Sequence, residues 1–123
     1  MLLKDAKVLI GDDSILARKQ LKDVLSTMGA VHFIEAVNGK EAVEKYIAEK
    51  PDIIFLDIIM PIKDGIHAVQ EIIAEDPTAL IIIVSSVGTQ QQLKSAIEAG
   101  AKDFIQKPIN ADQIKAIVST RFE

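Results

Sequence analysis

The sequence has no cysteine and no tryptophan, and its aromatic share is 4%, from one tyrosine and four phenylalanines. The missing thiols exclude disulfides, thiolate metal sites and a cysteine nucleophile, and they suit a cytoplasmic protein. With so few rings, the core has to be built from isoleucine, valine, leucine and alanine. Positive charge is in deficit too. A formal net charge of −4 argues against a general binder of nucleic acid or of anionic membrane. No apolar run approaches transmembrane length, and the apolar part of Met1-Leu-Leu-Lys-Asp5 is too short for a signal peptide, so a cytosolic chain is expected. The two histidines, His32 and His67, fall in different elements, which argues against a zinc site or a histidine base. No G-x-G-x-x-G follows the first apolar run, and Asn38-Gly-Lys-Glu41 lacks the leading glycine and the hydroxyl of a phosphate loop. What is present is ordinary globular composition, 49% hydrophobic and 26% charged over 123 residues. That length fits one domain, 1–123, and leaves no room for a second unit of usual size.

Short apolar runs alternate with segments of helical period, which predicts an α/β fold with a parallel sheet. Strands are expected at Lys7–Gly11 and at 32–36, 53–56, 80–84 and 102–105. The first helix runs from about Ser14 to Met28, with Leu21, Val24, Leu25 and Met28 as its apolar stripe and Gly29 closing it. Its Arg18, Lys19 and Lys22 read as a solvated face. Asn38 caps the second helix with Glu41 reaching back, and Ala42, Val43, Tyr46 and Ile47 should face inward. The third, from about Ile66 to Ala74, should bury Ile66, Val69, Ile72 and Ile73. Thr89 and Asn110 cap the last two, whose inward faces are Leu93, Ala96 and Ile97, then Ile114, Ile117 and Val118.

One carboxylate interrupts this pattern. Asp57 follows the continuous apolar run Ile53-Ile-Phe-Leu56 and precedes Pro61 and Asp64-Gly65. It therefore sits at the carboxyl end of a strand covered on both faces, the edge where ligands bind in open α/β sheets. An isolated aspartate there can also simply cap the next turn. Other polar residues recur at strand ends: Asp12 and Asp13 after the first, Ser85 after the fourth, Lys107 after the fifth. In the doubly wound, flavodoxin-like order 2-1-3-4-5, strands one and three are neighbours, which brings three carboxylates together. Three such groups repel, so either some protonate or a cation sits among them. Oxygen ligands without cysteine or clustered histidine select a hard ion such as Mg²⁺. An acidic pair alone would more often be a solvated loop; Asp57, Ser85 and Lys107 at matching strand ends favour the metal reading.

These residues carry a resemblance. Asp12-Asp13, Asp57 with Met60-Pro61 and Asp64-Gly65, Ser85, Ala99-Gly100-Ala101, Phe104 and Lys107-Pro108 stand in the order and spacing of the receiver domain of two-component response regulators. The chain is similar in length to the stand-alone chemotaxis type. The resemblance implies that Asp57 is the phosphoacceptor, charged by a histidine kinase. It implies Mg²⁺ held by Asp12, Asp13, Asp57 and the Ile59 backbone carbonyl, Lys107 and Ser85 as partners of the phosphoryl group, and a cis Lys107-Pro108 bond. Ser85 and Phe104 would act as the switch, altering the face of helix four, strand five and helix five for a downstream protein partner. A phosphatase is a further partner, whereas direct nucleic-acid or membrane binding is not expected. From the residues alone, most lysines are surface lysines, but the place of Lys107 before Pro108 at the end of a buried strand favours the functional reading; Ser85 could simply end a strand, and Phe104 reads equally as core. Gly11, Ser86 and Ile109 depart from the family's usual apolar residue, alanine and phenylalanine. Two rival readings are an aspartyl-phosphate phosphatase, which would usually carry a second acid at the Ile59 position, and an unphosphorylated scaffold. No turnover of a separate substrate is expected. Ile59 and Val87, two residues beyond Asp57 and Ser85, cannot orient a hydrolytic water, so slow loss of the phosphoryl group is expected.

Overall fold

Parallel strands need crossovers, and every apolar run in this chain is followed by a helix that provides one. The computed structural model describes residues 1–86 and 88–123. The order is β1 (Lys7–Gly11), α1 (Ile15–Thr27), β2 (His32–Ala36), α2 (Gly39–Glu49), β3 (Ile53–Leu56), α3 (Gly65–Glu75), β4 (Ile81–Ser85), α4 (Gln90–Ala99), β5 (Asp103–Gln106) and α5 (Ala111–Ser119), preceded by a short 3₁₀ turn at Leu3–Asp5. All pairings are parallel and the sheet order is β2-β1-β3-β4-β5, the doubly wound arrangement expected. No described helix is long and apolar enough to cross a membrane.

The strands are apolar on both faces because both are covered. Leu9, Ile54, Leu56, Ile81 and Ile83 point into one core with Ala42, Val43, Tyr46, Ala68, Val69, Ile72 and Ala96 of α2, α3 and α4. Val8, Ile10, Ile53, Phe55, Ile82 and Val84 point into the other, with Leu21 and Leu25 of α1 and Ile114, Ile117 and Val118 of α5. Each fully buried isoleucine contributes about 2 kcal/mol, so the strand isoleucines dominate the sheet's hydrophobic stabilisation. Side-chain caps start the helices: Ser14 accepts from the Ala17 N–H, Asn38 from Glu41, Asp64 from His67, Thr89 from Gln92, and Asn110 from Asp112 and Gln113. Glu41 reaches past the cap residue, to the N–H of Val37 at 3.3 Å.

Three expectations about burial need correction. Ile47 is 46% exposed, and on α4 only Ala96 is fully covered, leaving Leu93 40% and Ile97 45% exposed. Periodicity identifies the inner face of a helix without fixing how closely the helix seats. Arg18 does not belong to a solvated face but is 8% exposed. β4 and β5 each end one residue later than expected, so Ser85 closes β4 and Gln106 closes β5.

Candidate functional site

The site is built where the sheet's ladder overruns its strands by one residue. Gly11 stands opposite both Ala36 and Leu56, and Ser85 opposite Gln106. One step further, the Asp57 N–H donates to the Gly11 carbonyl at 2.9 Å, Asp12 to Ala36 at 3.0 Å and Lys107 to Ser85 at 2.8 Å. Three chemically active residues thus have their main chains fixed by neighbouring strands, so their side chains leave the same sheet edge from defined points.

Gly65 allows the surrounding backbones this close. A Cβ on Gly65 would lie 2.0 Å from the Asp57 carbonyl oxygen, and the Gly65 N–H donates to Ile58 at 2.8 Å, so α3 begins directly on the strand end that carries Asp57. At Gly11, the space a side chain would use holds Leu56, whose Cδ2 would be 2.5 Å from a Cβ there. Between Asp57 and Gly65, the Lys63 N–H closes a γ-turn on the Pro61 carbonyl at 2.7 Å, with Ile62 at φ 70°. A positive φ on a β-branched residue is a strained conformation that sequence reading did not anticipate.

The side chains then converge. Lys107 Nζ donates to Asp12 Oδ2 at 2.7 Å and to Asp57 Oδ2 at 3.1 Å, joining residues 95 and 50 positions away in sequence. Asp57 Oδ1 accepts from the Ile58 N–H at 2.7 Å, and Asp12 Oδ1 from Ser14 at 2.9 Å. Asp12 and Asp57 are buried, at 5% and 8% exposure, whereas Asp13 is exposed. Burial alone would lower the Lys107 pKa, but hydrogen bonds to Asp12 and the charges of Asp57 and Asp12 outweigh it and hold the ammonium above the ordinary lysine value. Asp12, Asp13 and Asp57 each offer a carboxylate oxygen within 4.8 Å of the others. An all-oxygen, three-carboxylate set fits a hard divalent ion such as Mg²⁺ in both charge and donor type.

The other expected residues fall around this centre. Ser85 is fully buried at the end of β4. Phe104 lies on β5 opposite Ile83, partly buried against the core under α2, α3 and α4. Ile59 is 60% exposed, and the Lys107-Pro108 bond is cis, as expected. Val87 lies outside the described residues. Sequence reading missed Arg18 and Glu35: the Arg18 Nη1 donates to the Asp12 carbonyl at 2.6 Å and its Nε to Glu35 Oε1 at 2.9 Å. Its position three residues before Leu21, on the buried stripe of α1, was the available signal.

Comparison with known proteins agrees with this geometry. The response regulator receiver domain model matches residues 8–119. The chain is 48% identical to the chemotaxis protein CheY of Thermotoga maritima over 108 residues, 88% of this chain and 90% of that one. It is 46% identical to the Bacillus subtilis CheY over 108 residues, 88% of this chain and 90% of that one. A solved CheX-CheY-BeF₃-Mg²⁺ complex from Borrelia burgdorferi contains a chain that superposes with a TM-score of 0.89 at 37% identity, covering 94% of this chain and 87% of that chain.

Proposed function

Because the chain belongs to the response regulator receiver family, we propose that it is a phosphorylation-activated signalling protein in which Asp57 accepts a phosphoryl group from a histidine kinase. The observation that carries this reading is the Lys107 ammonium bridging Asp12 and Asp57. A carboxylate is a weak nucleophile towards a phosphoryl group that is itself anionic, so the site must position it and offset charge. The Asp57 oxygen forms the new P–O bond as the P–N bond of phosphohistidine breaks, and the imidazole leaves with that electron pair and takes up a proton. Lys107 exchanges its contact with Asp57 Oδ2 for a phosphoryl oxygen while keeping Asp12. Asp12, Asp13, Asp57 and the Ile59 carbonyl would hold Mg²⁺, which would supply further positive charge beside the phosphoryl group.

Buried Ser85 donates its hydroxyl to the phosphoryl group, and the shift is passed through Phe104 to the face of α4, β5 and α5, where a downstream partner docks. The names of the CheY relatives support a role in chemotaxis. The protein is not an enzyme on a separate substrate: Ile59 stands where a phosphatase would carry its second acid, and its apolar side chain also favours a persistent phosphoryl group.

The test is incubation with acetyl phosphate and Mg²⁺ followed by intact-mass measurement. One added phosphoryl group is expected on the native protein and none on Asp57→Asn. Undiminished phosphorylation of the variant would overturn the assignment, and sustained turnover of a phosphomonoester would favour the phosphatase reading.

A further inference from the structure

Arg18 is a charge in an apolar place. It shares the inner stripe of α1 with Leu21 and Leu25 and is 8% exposed, and a buried charge persists only when paired and hydrogen-bonded. Its two donors go to different elements: Nε to Glu35 Oε1 on β2 at 2.9 Å, and Nη1 to the Asp12 main-chain carbonyl at 2.6 Å. Glu35 is itself held, with Oε2 accepting from Lys22 at 3.2 Å and its carbonyl from Lys45 at 2.5 Å. The Asp12 N–H is fixed from the other side by the Ala36 carbonyl at 3.0 Å. Asp12 therefore has both ends of its main chain anchored, and both anchors lead to β2.

We infer that Arg18 is a positioning residue for cation binding: by bracing the Asp12 backbone against Glu35 it fixes where the Asp12 carboxylate stands. This deepens the reading of the acid pocket as a Mg²⁺ site and rests on it. The guanidinium reaches the carbonyl and leaves the carboxylate oxygens to the pocket. Arg18 serves Glu35 and the carbonyl with two separate nitrogens held in one rigid plane, a spread of donors that the single ammonium of a lysine does not reproduce. The two effects of Arg18 have opposite signs. Its positive charge beside an acid cluster works against binding a cation, while its bracing works for it. Glu35 offsets the charge and leaves the bracing, which is why the pair is needed rather than the arginine alone. Burial would raise the Glu35 pKa, but hydrogen bonds from Arg18 and Lys22 lower it, so the offsetting charge is retained.

Opposite signs make a decisive experiment. Mg²⁺ and Ca²⁺ affinities would be measured by isothermal titration calorimetry on native protein, Arg18→Met and Arg18→Lys, each shown to be folded by circular dichroism at the same temperature. Arg18→Met removes both charge and brace, and Arg18→Lys keeps the charge but replaces the rigid two-nitrogen fork with a single flexible ammonium. If positioning dominates, Mg²⁺ binding weakens about tenfold in both variants, the usual scale for losing a partner of a metal ligand. Ca²⁺ binding weakens less, because Mg²⁺ demands near-octahedral geometry and Ca²⁺ does not. A general loss of folded protein would weaken both ions alike. Unchanged or tighter Mg²⁺ binding in either variant, or an unaltered Mg²⁺ to Ca²⁺ ratio, would overturn the inference. If Arg18→Met fails to fold, Arg18→Lys alone carries the decision. A native protein that bound no Mg²⁺ would overturn the reading of the pocket and this inference together; native binding with unaltered variants would overturn this inference alone.

Discussion

Helices α3 and α4 are neighbours on the same face of the sheet, yet they are held differently. α3 buries Gly65, Ala68, Val69 and Ile72, and its first residue rests on the backbone of Asp57. Among the described residues of α4 only Ala96 is buried, and the large side chains beside it, Leu93 and Ile97, remain 40% and 45% exposed. The strand ends that carry the acids are fixed by small residues, ladder hydrogen bonds and Arg18, whereas the helix on the proposed output face has little apolar area holding it. Segments with few buried contacts open at low free-energy cost, so a modest change at Asp57 can redistribute α4 while leaving the acid pocket in place.

The comparison can be broken most directly by substitution in each region. Gly65→Ala forces a Cβ to within 2.0 Å of the Asp57 carbonyl oxygen, where backbone must move, and should cost about 3 kcal/mol or more. Ile97→Ala removes a half-exposed side chain and should cost about 1 kcal/mol. Urea denaturation measures both, and equal costs would remove the distinction. Next, Lys107→Met strips Asp12 and Asp57 of their shared cation and should cost about 2 kcal/mol in metal-free buffer. Added Mg²⁺ should restore more stability to this variant than to the native protein. Because the Lys107 pKa is raised in the folded chain, its contribution is fully present below the ordinary lysine value of 10.5 and is lost as the pH rises through the higher folded value. The difference between native protein and variant should therefore persist to about pH 10 and shrink above it. The smallest effect has the opposite sign: Ile62→Gly relieves a side chain held at φ 70° and should stabilise the protein by about 1 kcal/mol. Unchanged thermal stability would mean that the γ-turn stores no strain.

The same contrast shows what a sequence makes legible. The β1, β2 and β3 boundaries follow from apolar runs bounded by charge and turn residues, and the caps at Asn38, Thr89 and Asn110 follow from hydroxyl or amide side chains just ahead of a periodic segment. Asp12, Asp57 and Lys107 could be brought together on paper because strand order and strand ends are local patterns. Arg18 could not, since its partners are a carbonyl six residues back and a carboxylate seventeen residues ahead on another strand. Nor could the exposure of Leu93 and Ile97, because periodicity reports which way a side chain faces and not whether anything covers it. The strain at Ile62 was hidden for another reason: nothing in its residue type favours a positive φ, and the flanking hydrogen bonds impose it.

The central claim is that a change at Asp57 is read at α4 while the acid-bearing strand ends stay fixed. Hydrogen exchange detected by mass spectrometry, with and without beryllofluoride and Mg²⁺, tests it on native protein and on Asp57→Asn. The account predicts that exchange across Gln90–Ala99 changes on adding the phosphoryl mimic to native protein, that Lys7–Gly11 and Gly65–Glu75 change little, and that the Asn variant shows no response to it. An unresponsive α4, or an equal response in the variant, would contradict it.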